Sequence, residues 1–185
     1  RTRPTSPTAQ AGYLNTETEG NPASRIRGTA LDSRHGRGEE PTGGRRAPQY
    51  VIFELASGYA GDSGSLAELI PGTRINTGTL DCHSLQVDPD ASFEILFAPE
   101  KPDSHAGNFL LSRRESQGKE HVGRFLTCRE LFHDWENEEV LDLEILRIDC
   151  EKTPRPPLDE AGAVEMMQTV GESTNNQMRF WNAFY

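Results

Sequence analysis

Long apolar runs are missing from this chain of 185 residues. No stretch approaches the ~18–20 consecutive apolar residues that a membrane-spanning helix needs, so no membrane contact of that kind is expected. Cysteine is scarce: Cys82, Cys128 and Cys150 make an odd number, and no two stand at C-x-x-C spacing. That pattern argues against a disulfide scaffold and fits a reduced, cytoplasmic compartment. It also leaves a metal centre without a ligand set, because the adjacent Cys82 and His83 point to opposite faces of any strand. No metal and no cofactor are expected. Apolar residues make up only 34% of the chain, low for a globular domain. The start, RTRPTSPTAQ, has no apolar stretch behind its arginines, so no secretory signal is read there. It lacks an initial Met, and the chain is expected to be a fragment or a truncated form.

Glycine and proline are plentiful instead, 17 and 12 residues, as in a chain rich in loops. Charge is split unevenly. Residues 1–46 hold eight arginines against five acids, while the remainder holds eleven basic residues against 24 acids. So acidic a body repels a phosphate backbone, and nucleic acid is not expected as a partner. The first 46 residues have only Tyr13, Leu14, Ile26 and Leu31 as sizeable apolar side chains. Burial of so few groups does not offset the entropy of ordering, so residues 1–46 are expected to be a disordered or extended tail.

The body has strand-like patterning. Gln49–Leu55 is a β-rich run, with Pro48 at its start where proline is tolerated. In Ser92–Ala98, Phe93, Ile95 and Phe97 share one face. A strand is expected within Arg74–Val87 and another over Asn108–Ser112, with Arg113–His121 a mobile loop between. Arg124–Asp149 reads as a hairpin: two strands joined by an acidic turn, with Leu141, Leu143 and Ile145 as the core face of the second. Short strands with turn residues between them indicate a sandwich or barrel rather than βαβ units. The expected fold is mainly β: a jelly-roll-like antiparallel β-sandwich over residues 47–150. A Pro-rich linker and a C-terminal α-helix follow over residues 151–185. Asp159 can cap that helix, and Val164, Met167, Gly171, Thr174, Met178, Trp181 and Tyr185 recur along it at steps of three and four. That stripe would dock on the core or on a partner chain. Met178, Trp181, Phe184 and Tyr185 are the candidate contacts for a protein partner or a homo-oligomer.

Two motifs bear on chemistry. Gly61-Asp62-Ser63-Gly64 spells the nucleophile string of trypsin-like proteases. The triad also needs a base, and the only upstream histidine is His35, in the expected tail. Glycine with Asp-Ser is also ordinary loop chemistry. The second motif is Arg129 to Trp135. His133 at a strand end could form a base with Asp134 or Glu130 as its orienting carboxylate, assisted by Arg129. A solvated acidic turn is the competing reading.

The runs VDPDASFEILF (Val87–Phe97), GNFLL (Gly107–Leu111) and FLTCRELFHDW (Phe125–Trp135) resemble the C-terminal domain of unknown function of two-domain bacterial proteins. That family's Asp-Gly-Ser turn stands here as Asp90-Ala91-Ser92, and its Asn-Trp-Leu strand as Asn108-Phe109-Leu110. The resemblance covers about residues 48–149 and implies a jelly-roll-like module of a larger chain. It carries no catalytic residues. Three functions remain open: a binding or accessory module that stacks a small-molecule or sugar-like ligand on Trp135, Tyr59 and Phe109; a hydrolase-type enzyme using His133 and Asp134; and an assembly module that docks through its helix.

Overall fold

The computed structural model describes residues 11–17, 23–30, 46–148 and 157–185. The His35, Leu31, Cys150, Asp149, Pro154 and Pro156 readings lie outside that set. The fold is mainly β, two four-stranded sheets and a C-terminal helix. The strands are β1 (Ala11–Glu17), β2 (Ser24–Thr29), β3 (Tyr50–Ala56), β4 (Asn76–Asp81), β5 (Ser92–Ala98), β6 (Asn108–Leu111), β7 (Arg113–Ser116), β8 (Lys119–Val122), β9 (Phe125–Leu131) and β10 (Asp142–Arg147). Helix α1 spans Glu160–Phe184. One sheet runs β1-β9-β3-β4 and the other β10-β2-β5-β6, while β7 and β8 form a separate hairpin. Every pairing between these strands is antiparallel except β5 with β6.

Alternation of side chains builds the core between the two sheets. Val51, Phe53 and Leu55 of β3 point inward, as do Leu126 and Cys128 of β9. Opposite them lie Ile26 of β2 and Phe93, Ile95 and Phe97 of β5. Phe53 meets Phe93 across the sandwich edge-to-face, with ring centroids 5.9 Å apart. Each such buried side chain contributes about 1.5–3 kcal/mol of transfer free energy. The sandwich edge is pinned at Asn108, which is buried. Its amide oxygen accepts from Gln86 N at 2.7 Å, and its amide nitrogen donates to the carbonyls of Gln86 and Glu94 at 2.8 and 3.0 Å.

Four expectations need correction. The segment 1–46 is not simply a tail, because β1 pairs with β9 along its whole length and β2 is an interior strand between β10 and β5. Its sequence SRIRGT hides this: Ile26 points into the core at 1% exposure, while Arg25 and Arg27 lie on the outer face against Glu94, at 3.0 and 3.3 Å. Arg124–Asp149 is not a hairpin. Its strand β9 belongs to one sheet and β10 to the other, and the ten residues Phe132–Leu141 cross between them. Within β10, Ile145 is 43% exposed, so Leu141 and Leu143 carry the core side without it. Arg113–His121 is the β7–β8 hairpin rather than a loop. Gln117 and Gly118 turn it with φ of +52° and +72°, the geometry that two-residue hairpins favour.

Candidate functional site

The residues Arg129 to Trp135 do not form one site. Arg129 and Glu130 are neighbours on β9 and therefore point to opposite faces. Arg129 lies outward, its guanidinium 3.8 Å from Glu54. Glu130 lies inward at 1% exposure. Its carboxylate accepts from Leu141 N at 2.7 Å. Burial pushes the Glu130 carboxyl above the usual range, and that single hydrogen bond offsets only part of the rise. Cys128, on the same face, is a deeply buried thiol raised well above its ordinary value by burial and by the Glu130 charge, so it is an unreactive core residue.

His133 is exposed and its imidazole has no hydrogen-bond partner among the described residues. Asp134 does not orient it. Its carboxylate accepts from Asn137 Nδ2 at 2.7 Å and from Glu136 N at 3.2 Å, and the Asn137 bond holds its pKa below the usual range. The buried acid of this loop is Glu138, which accepts from His133 N at 2.9 Å and from Gln49 N at 3.3 Å. Glu130 and Glu138 thus fasten the two ends of the crossover loop. These acids serve backbone geometry, and the charge run that suggested a rim site is a loop with two anchored carboxylates.

The three aromatic candidates for ligand stacking sit on different elements. Trp135 is half exposed and stacks on Phe132 at 4.1 Å in the crossover loop. Tyr59 is half-buried against the outer face of β9: its ring lies 4.4 Å from Phe125, and its hydroxyl is 2.7 Å from Thr127 Oγ1. Phe109 is on β6, covered by His105 at 6.2 Å and Lys101 Nζ at 5.9 Å. None of the three touches another, so they build no common stacking platform. Among the described residues, no group of three or more His, Cys, Asp or Glu is placed to hold a metal ion.

The loop that contains Gly61-Asp62-Ser63-Gly64 has a different role from the one its spelling suggests. Glu68, on a 3-10 turn over Leu66–Leu69, gathers the loop inward: Gly61 N and Ser63 N donate to its carboxylate at 2.6 Å, and Ser63 Oγ donates at 2.5 Å. Desolvation alone would raise the Glu68 pKa, but these bonds and the Arg74 charge hold it below the usual range. Ser63 is therefore committed to Glu68. The carbonyls of this loop face the helix. Gln177 Nε2 donates to Ala60 O at 2.7 Å, and Asn176 Nδ2 donates to Asp62 O at 2.8 Å. Gly61 and Gly64 adopt φ of +93° and +70°, and a Cβ on Gly64 would come within 3.2 Å of Asn176 Cα. Glycine is required there both for the backbone and for the approach of the helix. One turn further on, Phe180 is buried at 1% exposure. The sequence pattern missed this seat, although the glycine-rich loop and the Asn-Asn-Gln run were both visible as its signals.

Helix α1 begins as expected, with Asp159 accepting from Gly162 N at 2.8 Å. Its orientation differs from the sequence expectation. It meets the sandwich through Asn176, Gln177 and Phe180, and the stripe read as a core face lies roughly 150° round from Phe180. Val164 is 49% exposed, Met167 76%, Met178 60%, Trp181 39% and Tyr185 96%. Val170 and Met166 beside them are exposed as well. Monomeric proteins rarely leave so long an apolar surface uncovered. A shallow depression of about 630 Å³ along the start of the helix is lined by Glu160, Val164 and Gln168 among others, all from this region of chain. It is an open surface depression, not an enclosed pocket. No described helix is long and apolar enough to cross a membrane.

No protein-family model matches the chain, and no curated protein matches it. Among solved structures it is similar to an uncharacterized protein from Burkholderia cenocepacia, at 20% sequence identity and a TM-score of 0.66. The match covers 95% of this chain and 39% of that one, so this chain spans about two fifths of that protein's length. At this identity the likeness is one of fold: a β-sandwich with a C-terminal helix occurs there within a longer protein.

Proposed function

We propose that this chain is an assembly module, a β-sandwich that holds α1 out as a docking helix for another protein chain. One observation carries the reading: the helix meets the sandwich through two amides and a single buried phenylalanine, and turns its regular apolar stripe to solvent. An amphipathic helix ordinarily does the reverse, and burying an exposed apolar side chain contributes about 1.5–3 kcal/mol when a partner supplies the cover. The N-terminal half of α1 has no buried side chain, so nothing in the sandwich obstructs it. Enzyme and ligand-binding readings have weaker support, because His133 and Asp134 are not paired and Trp135, Tyr59 and Phe109 are dispersed.

The test is the mass of the full chain in solution, by light scattering, beside a Met178→Glu variant. Position 178 is 60% exposed, so the substitution leaves the sandwich intact. Wild type is expected above the monomer mass and the variant at it. A monomeric wild type would sink the reading.

A further inference from the structure

The stripe on α1 has a register that identifies what covers it. Val164, Met167, Gly171, Thr174, Met178, Trp181 and Tyr185 are separated by three and four residues in strict alternation. This is the a/d spacing of a two-helix coiled-coil seam, narrower than the face of a helix that packs on a sheet. The seam carries no charge between Val164 and Tyr185. Charged side chains of this stretch, Glu165, Glu172 and Arg179, all lie off it, at one repeating heptad position. We infer that the occupant is a second copy of this chain, its α1 packed antiparallel on the first about a two-fold axis between Glu172 and Ser173; this rests on the assembly reading above.

Self-pairing in that register is complementary throughout. Val164 meets Trp181 of the other copy, Met167 meets Met178, and Gly171 meets Thr174. The same three layers repeat beyond the axis, as a two-fold contact requires. Small residues occupy the centre, where the helices approach most closely, and large ones the two ends. Glu160 falls opposite Tyr185, whose hydroxyl can donate to it. A parallel pair in register is poorer at each of these places. It stacks Gly171 on Gly171 and leaves a void, crowds Trp181 against Trp181, and sets Glu160 against Glu160. The available surface is also adequate. A stable interface removes about 800 Å² from each partner, the area of some four or five aromatic-sized side chains at ~150–250 Å² each. The face presents Val164, Met167, Val170, Met178, Trp181 and Tyr185, all more than a third exposed. At about 1.5 Å per residue the helix is roughly 37 Å long, enough for three heptads.

A charge exchange at one layer tests both partner and direction. Positions 167 and 178 face each other only in the antiparallel register. The full chain carrying Met167→Lys, the full chain carrying Met178→Glu and the double variant M167K/M178E are compared with wild type by light scattering, with far-UV circular dichroism to confirm the helix. Wild type is expected at twice the monomer mass. Each single variant buries a charge without a partner and is expected at the monomer mass. The double variant sets opposite charges together twice, and its dimer is expected to return, weakened by salt. If wild type and single variants dissociate as stated but the double variant stays monomeric, or if wild type is a trimer or tetramer, the antiparallel pair is wrong while the assembly reading stands. If wild type is monomeric, or if the single variants keep its mass, both fall, and the cover of the seam is to be sought in a companion domain of a longer chain.

Discussion

At Glu130 burial and charge oppose each other, and the outcome sets a pH dependence. The side chain is 1% exposed, and its carboxyl is raised by desolvation, with one backbone N–H, from Leu141, working the other way. An acid whose folded pKa exceeds its unfolded value, about 4.3, favours the folded state below that value and loses the benefit as pH rises through the folded one. Glu130→Gln keeps the shape and an acceptor for Leu141 N but cannot ionise. It should therefore be more stable than wild type at neutral pH, with the advantage shrinking as the pH approaches about 4. Urea unfolding of both proteins across that range checks this; parallel stability curves would show that Glu130 titrates normally. Strand parity already marked this residue in the sequence, since Glu130 shares its face with Leu126 and Cys128. Its partner was not legible. Leu141 N lies eleven residues on, across a change of sheet that no local pattern announces.

Helix α1 illustrates what periodicity can and cannot decide for an element. Its existence, its Asp159 cap and its stripe were all readable from residue spacing. Which side faces the sandwich was not, because spacing identifies an apolar face without saying what covers it. The side chains that seat the helix are two amides and one phenylalanine, and amides carry no periodic signal. Of these, Phe180 should dominate: truncating a buried Phe to Ala costs about 3–5 kcal/mol, against about 0.5–1.5 kcal/mol for each amide hydrogen bond. Phe180→Ala is thus expected to release α1 while the sandwich stays folded. Gly64→Ala should do the same from the other side of the contact, through the strained φ and the approach to Asn176. Hydrogen exchange followed by mass spectrometry is the measurement. Faster exchange confined to α1 and the 57–69 loop is the expected pattern, and unchanged exchange there in both variants would mean the seat is elsewhere.

At the scale of the whole molecule, the segment that composition assigned to a tail supplies an interior strand. The strands β3 and β5 were legible because each carries several apolar residues at period two. The β2 strand carries one large apolar side chain, and a single residue makes no period. What places it is the gap it fills, edge to edge between β5 and β10, and that gap exists only once the other strands are assembled. Two of the eight arginines of the basic segment, Arg25 and Arg27, lie against Glu94 of the acidic body. Exposed pairs of that kind contribute about 0–1 kcal/mol, so they do not hold the strand by themselves. Its ladders on both sides and the burial of Ile26 must do so. Ile26→Ala is accordingly expected to lower the unfolding free energy by about 2–5 kcal/mol, measured by urea denaturation, whereas in a solvated tail it would change nothing. Arg27→Ala, half exposed on the outer face, should cost less than about 1 kcal/mol. A large loss from the arginine and none from the isoleucine would mean that β2 is held by charge on the surface, and the two-sheet core would have to be redrawn without it.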